Sequence, residues 1–525
     1  RGRCRLLETD DEATTRARVA ETLSEHIPDE AERRWIEPAL LALLGIGAVP
    51  GGSEQLFGAW RTFFERLAAT APVVMVFEDF HFADTGLLDF IDHLMEWSRT
   101  SPIYVLTLAR PELMEKRPDW GAGKRNFVSV YLEPLAEPAM RELLTGLVPG
   151  LPEAAVRSIV ARAGGVPLYA VETVRMLVAV GRLQRDDGRY VPVDDLGQLA
   201  VPETLTALIA SRLDGLAPQV RAVVLDAAVL GQSFALAALA AVSGLTEEAL
   251  EPVVRDLVRR EILTRDADPL SPERGQYAFV QALTREVAYN TLAKPDRKVR
   301  HLAAARFYES VVSDELAGAL AGHYLAAHAS APEGPERDAL AGQARIAIGA
   351  AAERASGLGA HEQAVAYYEQ ALSIASAPDD RVELLLRAGE EASSAGRHDT
   401  AERHLRAALE EERRLGDVRG QLRSTTALAR ALMSAFRVSD ALELLRPAVE
   451  QLDDELGADP LAIGLGGQLA RAHMLADELR SAMEVSDHVL EAAELHDERA
   501  IVADVLITRG VVLGYLGRVI EGLAV

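Results

Sequence analysis

Cysteine is nearly absent. Among 525 residues there is one, Cys4, which excludes a disulfide framework and fits a reducing compartment. Lysine is almost as scarce: 51 of the 55 basic residues are arginine, a bias that reflects GC-rich coding more than function, and Lys116, Lys124, Lys294 and Lys298 are the only lysines. Aromatic residues make up 5%. No apolar stretch reaches the roughly 18 residues needed to span a bilayer. The formal net charge of −25 argues against nucleic-acid binding over most of the surface, because neutralising phosphates needs a basic face. What is abundant is alanine and other apolar residues, 49% in all, enough for packed helical cores. A chain of 525 residues exceeds the roughly 250–300 that a single core supports, so several domains are expected.

The most informative segment is Pro72-Val-Val-Met-Val-Phe-Glu78-Asp79-Phe-His-Phe-Ala-Asp84. Five apolar residues ending in two carboxylates read as a buried parallel strand whose carboxyl end opens on a site. In P-loop NTPases such a Walker B strand holds Mg2+ and orients the attacking water. The partner motif, G-x-x-x-x-G-K-[ST], which cradles the phosphates, is absent. Only Lys124 follows a glycine, Arg125 comes next, and Pro118 stands where the first glycine belongs. The chain starts at Arg1 without methionine and stops at Val525 within an apolar helical pattern. It therefore reads as a fragment open at both ends, the alternative being an NTPase that has lost its P-loop by degeneration.

Residues 13–45 read as helical, and Leu56, Trp60, Phe63, Phe64 and Leu67 form a helical stripe before Pro72. An amphipathic helix, Gly86 to Trp97, leads to a second apolar strand, Ile103 to Ala109, closed by Arg110. Strand, helix, strand at this spacing is a βαβ unit, in which ligands sit at the carboxyl ends of the strands, the ends that carry Glu78, Asp79 and Arg110. Alternation at 127–132 predicts a third strand. Helical segments follow, interrupted by Gly164-Gly165-Val166-Pro167. Helices near 203–214, 218–230, 235–242 and 246–260, then short strands at 261–265 and 276–280, spell a winged helix. Residues 201–310 hold 13 basic and 14 acidic residues, too balanced for a DNA-reading face, so a packing and regulatory role is expected.

The last third repeats with a period near 40. Ala364, Ala401, Ala441 and Ala482 are successive members, each followed four residues on by Tyr368, Leu405, Leu445 or Ser486. Ala352, Gly389, Ala429 and Ala470 lie twelve residues upstream, and Gly510 and Gly522 begin a fifth copy. Small residues at these offsets let antiparallel helices approach closely, as in tetratricopeptide (TPR) repeats. Stacked pairs make a concave surface suited to a protein or peptide. The twelve histidines are scattered, and no H-E-x-x-H, C-x-x-C or G-x-S-x-G motif occurs.

Together, Phe77-Glu-Asp-Phe-His-Phe-Ala-Asp84, Leu108-Ala-Arg-Pro-Glu-Leu113, Leu132-Glu-Pro-Leu135, Gly164-Gly-Val-Pro-Leu-Tyr-Ala-Val-Glu172 and Tyr277-Ala-Phe-Val-Gln-Ala-Leu-Thr-Arg-Glu-Val-Ala-Tyr289 resemble the STAND class of signal-transduction ATPases. More narrowly, they resemble the ATPase–TPR regions of bacterial adenylate/guanylate cyclase-domain proteins or of LuxR-type activators. The resemblance implies Glu78 at the Mg2+ position and Asp79 at the water-orienting position, with the reverse assignment open. It implies Arg110 as a sensor arginine, and Gly165 and Pro167 in a GxP turn near the nucleotide base. Phe82 replaces the usual Trp, expected as a tolerable packing change. Gln281 stands where many relatives carry His, and Arg1-Gly-Arg-Cys4 resembles the strand after the P-loop helix.

The expected architecture is multidomain α/β plus α. It comprises a truncated P-loop NTPase core (1–133), a helical lid with the GxP motif (134–199), a winged helix (200–310), a helical linker (311–343) and TPR-like repeats (344–525). The expected function is an ATP-dependent switch in the cytoplasm, using ATP/ADP and Mg2+ in the parent protein and driving an output domain in cis. That output is a class III nucleotide cyclase or a LuxR-type DNA-binding domain. The expected partners are an effector on the repeats and, among assemblies, a homo-oligomer; neither a membrane nor nucleic acid is expected to bind this segment. A TPR scaffold with a relic NTPase fold is the third reading.

Overall fold

The structure, a computed structural model, describes Cys4, Leu6 and residues 12–47, 52–186, 189–193, 204–266, 275–311, 316–452 and 459–524. The segment Arg1–Arg3, read above as part of a strand, lies outside them. The described residues are mostly helical and fall into two compact units: Arg1–Pro28 with Pro111–Leu340, and Asp29–Arg110 with Ala341–Val525.

In the second of these units, β1 (Val73–Phe77) pairs in parallel with β2 (Ile103–Thr107), in register from Val73↔Ile103 to Phe77↔Thr107. The crossover helix Thr85–Trp97 is capped by Asp84, whose carboxylate accepts from the Leu87 amide at 2.7 Å, satisfying an end-of-helix donor. Of the expected stripe on helix Ser53–Ala68, Leu56, Trp60, Phe63 and Leu67 are buried and Phe64 is half-buried, and the Trp60 indole donates to the Ala39 carbonyl at 2.9 Å. Two expectations fail here. β1 is not buried on both faces, since Val74, Val76, Tyr104 and Leu106 are exposed. The Ser53–Ala68 helix packs on the pair, and no described element covers the face that these four residues form. Residues 127–132, in the other unit, form no strand. Val128, Val130, Tyr131 and Leu132 are exposed. An extended segment gains its ladder bonds only from a neighbouring strand, and none is paired with it among the described residues.

The rest of this unit is a TPR-like solenoid of antiparallel helix pairs. They run Pro378–Ser394 with His398–Leu415, Val418–Ser434 with Val438–Glu450, and Pro460–Leu475 with Leu479–Leu495. Ala352, Ala364, Ala401, Ala429, Ala441, Ala470 and Ala482 are completely buried. A Cβ on Gly389 would come within 2.4 Å of Leu405, and one on Gly522 within 2.7 Å of the Gly510 carbonyl. The small residues are therefore the places where helices touch. Five turns end in a left-handed residue at matching positions: Gly359, Gly396, Phe436, Asp477 and Gly517. At each, the next amide bonds a carbonyl five residues back, as in Arg397 to Ala392 (2.8 Å) and Arg437 to Leu432 (2.9 Å). This is the six-to-one bond of a Schellman cap.

The other unit holds helices Glu137–Leu147, Glu153–Ala163 and Pro167–Ala179 around Met140, Leu144, Ile159, Val174 and Leu177. They are followed by an unexpected antiparallel hairpin, β3 (Leu183–Asp186) with β4 (Arg189–Pro192). Next come helices Leu205–Asp214, Pro218–Leu230, Leu236–Ser243 and Glu247–Arg259 and a three-stranded antiparallel sheet. Its strands β5 (Ser233–Phe234), β6 (Leu263–Arg265) and β7 (Tyr277–Phe279) lie in the order β5-β7-β6. The β6–β7 pair matches the sequence reading, and β5 was too short to show there. Helices Ala282–Thr291, Lys294–Ser310 and Ala317–Ser330 complete the unit. His301 and His323, from the last two, meet Nδ1 to Nδ1 at 2.9 Å.

Candidate functional site

The carboxyl ends of β1 and β2 continue as backbone ladder beyond the strands. The Leu108 amide donates to the Phe77 carbonyl at 2.8 Å, and the Phe80 amide to the Leu108 carbonyl at 2.9 Å. Between these bonds the chain turns sharply at Asp79, which is left-handed (φ 50, ψ 33). Such a conformation is uncommon for a residue other than glycine but tolerated by aspartate. Phe80 is 2% exposed and anchors the turn. Glu78 and Asp79 emerge into solvent at this end of the sheet, and Arg110, two residues beyond the laddered Leu108, does so beside them.

The structure thus places all three residues at one sheet end. Phe82 is exposed, with its ring against that of His81. The cavities of about 300 Å³ beside Glu96, Trp97, Arg99 and Thr100 and of about 240 Å³ around His398 and Arg437 have none of the three in their linings. Two adjacent carboxylates suit Mg2+, which binds through one or two carboxylates and completes its shell with phosphate and water oxygens. The guanidinium suits the phosphate oxygens themselves. The donor set fits a Mg2+–polyphosphate.

The other sequence-derived residues lie in the other compact unit. Gly164 (φ 54) and Gly165 (φ 79) form the left-handed turn between helices Glu153–Ala163 and Pro167–Ala179. The Leu135 amide donates to the Gly165 carbonyl at 2.8 Å, and a Cβ on Gly165 would sit 2.7 Å from the Leu135 carbonyl and from Pro134. Two motifs that the sequence shows thirty residues apart, Leu132-Glu-Pro-Leu135 and Gly164-Gly-Val-Pro167, are therefore one contact, and only glycine fits it. Pro167 then occupies the first turn of helix Pro167–Ala179, where its missing N–H costs nothing.

Gln281 is engaged. Its amide donates to Glu172 at 2.8 Å, and its oxygen accepts from Thr284 at 3.4 Å. Glu172 has no exposed surface and also accepts from Arg175 at 2.7 Å and Arg212 at 2.8 Å. Sequence reading assigned no role to Glu172, Arg175 or Arg212. The available signal was the i,i+3 spacing of Glu172 and Arg175 on one helix, one turn beyond the GxP proline.

Among the described residues no three or more His, Cys, Asp or Glu side chains form a group that could hold a metal ion by themselves, and no helix is long and apolar enough to cross a membrane. No family model and no curated protein matches the chain. Among solved structures, a STAND protein with a tetratricopeptide repeat sensor from Pyrococcus horikoshii is similar over 92% of this chain and 79% of its own, at 12% identity and a TM-score of 0.34. A putative kinesin light chain from Podospora anserina with nearly identical TPR-like repeats matches 39% of this chain and 99% of its own, at 19% identity and a TM-score of 0.29. Yeast Tom70 matches 95% and 96%, at 9% identity and a TM-score of 0.21. At such scores none carries an argument about function, and the solenoid stands on its own buried small residues and repeated turns.

Proposed function

We propose that this chain belongs to an ATP-dependent signal-transduction switch of the STAND type. The observation that carries the reading is the exposed trio Glu78, Asp79 and Arg110 at one end of a parallel strand pair, the end at which α/β sheets bind ligands. In this reading Glu78 and Asp79 hold Mg2+ and orient the attacking water, and Arg110 meets the phosphates. The resemblance assigns Gly165 and Pro167 to recognition of the nucleotide base. The three-stranded sheet and its helices serve as a winged helix that relays the nucleotide state. The solenoid docks a protein or peptide effector. The output in cis is a class III nucleotide cyclase in the branch the resemblance favours, and a DNA-binding domain in the other. ATP or ADP with Mg2+ supplies the two states, and the switch requires their contacts to differ.

The test is ATP turnover by the natural gene product and its Asp79→Asn variant. Asparagine tolerates the left-handed backbone at this position, so the substitution removes charge without disturbing the turn. Turnover is expected to fall by at least 100-fold with secondary structure unchanged. Equal turnover in the two proteins would reject the reading and leave the solenoid as a docking platform on a relic fold.

A further inference from the structure

Glu172 ties four separate segments. Its Oε1 accepts from Arg175 and Gln281, and its Oε2 from Arg212. Arg175 reaches on to Glu261 at 2.6 and 2.9 Å, and Arg212 also donates to the Arg260 carbonyl. Glu261 is held left-handed (φ 55) at the end of helix Glu247–Arg259. The node therefore joins the lid helix Pro167–Ala179 to helix Leu205–Asp214, to the turn before β6, and to Gln281, the N-cap of helix Ala282–Thr291. Two carboxylates and two guanidiniums balance, so the buried charge is fully compensated, the condition under which such a cluster is tolerated. Arg175 and Arg212 are themselves largely buried, with side chains 17% and 7% exposed, so water does not replace a lost partner easily. Apolar contact adds to this, because Leu205 packs against both the lid core and the core of the following module.

We infer that Glu172 is the pin of a rigid joint: the lid, residues 137–193, and the helix–sheet module, residues 205–311, move as one body. A hinge between them would have to break the Arg212 and Gln281 bonds to the buried carboxylate and the Arg175–Glu261 pair at once. Gln281 is a structural arm of this joint. The inference does not depend on nucleotide binding, and it places any switching motion outside this pair of subdomains.

The experiment uses the full chain with Cys4→Ser and spin labels at Arg157→Cys and Arg255→Cys, both exposed, one on each side of the joint. Pulsed electron-spin distance measurement should give a single narrow distribution with Glu172 intact. It should broaden at least twofold in Glu172→Ala, and to a smaller degree in Gln281→Leu, which keeps the carboxylate and removes one donor. A broad or two-peaked distribution in the Glu172 chain would overturn the inference, as would Glu172→Ala and Gln281→Leu distributions both as narrow as the parent. If Glu172→Ala does not fold, Gln281→Leu decides: broadening supports the joint, and an unchanged width rejects it.

Discussion

In the solenoid, Ala364, Ala401, Ala441 and Ala482 are fully buried and helices meet through side chains of one carbon or none. In the other unit, segments remote in sequence meet at a buried carboxylate, Glu172, that takes three hydrogen bonds. Ion pairs such as Arg437 with Glu402, Arg446 with Glu478 and Arg397 with Glu362 join neighbouring repeats at the solenoid's surface. The difference is one of tolerance. Close apposition of small residues is insensitive to charge and pH but intolerant of volume. A buried ionic node is insensitive to small volume changes but intolerant of losing one partner.

The comparison breaks most severely at Glu172. Replacing it with alanine leaves the buried Arg212 without its carboxylate and Arg175 with Glu261 alone, a loss on the order of 3–5 kcal/mol, read as an early urea transition in circular dichroism. Gly389→Ala in the same assay should cost less.

Acid is the second lever. Burial holds His301 down to about 3, aided by the charges of His323 and Arg297, and burial holds His323 down to about 4. Both rings are thus neutral in the folded chain, and one Nδ1 donates to the other while the Tyr289 hydroxyl bonds His301 Nε2 at 2.9 Å. The unfolded chain protonates these histidines near 6.5. Between there and the folded values the unfolded state binds more protons, so stability falls as pH falls. His323→Phe should remove on the order of 3 kcal/mol of the stability change across pH 4–7, read as a flatter pH dependence of the thermal midpoint, whereas Gly349→Ala in the solenoid should leave the slope alone.

Volume is the solenoid's weak point. A methyl on Gly389 would come within 2.4 Å of Leu405, and overpacking of this kind costs about 1–3 kcal/mol, more than the gain of about 1 kcal/mol from helix propensity. Gly349, in helix Pro335–Gly357, has nothing within 4 Å of a new Cβ. Gly349→Ala should therefore stabilise where Gly389→Ala destabilises, and opposite shifts in the chemical denaturation midpoint are the check. The smallest effect belongs to Arg437→Ala. It removes contacts to Glu402 and Asp440 that are largely solvent-exposed, worth less than about 1 kcal/mol and vanishing in molar salt.

Much of this architecture was legible along the chain. The apolar run closed by Glu78 and Asp79, the stripe from Leu56 to Leu67 and the small residues spaced near 40 each encode a local preference with one geometric solution. Residues 127–132 misled because alternation states only that a segment can be a strand; pairing depends on a neighbour. The β3–β4 hairpin escaped because its strands are short and polar, and β5 because two residues carry no period. Glu172 escaped for another reason. A glutamate on a helix reads as surface, and its three donors come from positions up to 109 residues away.

The sequence alone determined where helices run, which small residues sit between repeats, and that an acidic pair follows a five-residue strand. These are short-range consequences of backbone preference and periodicity. Tertiary structure decided which motifs meet: Leu135 on Gly165, Gln281 on Glu172, and the Asp79 turn on Leu108 at the end of the second strand. Those pairings depend on packing between segments remote in sequence, where burial sets the cost of an unpaired charge and local pattern carries no record of the partner.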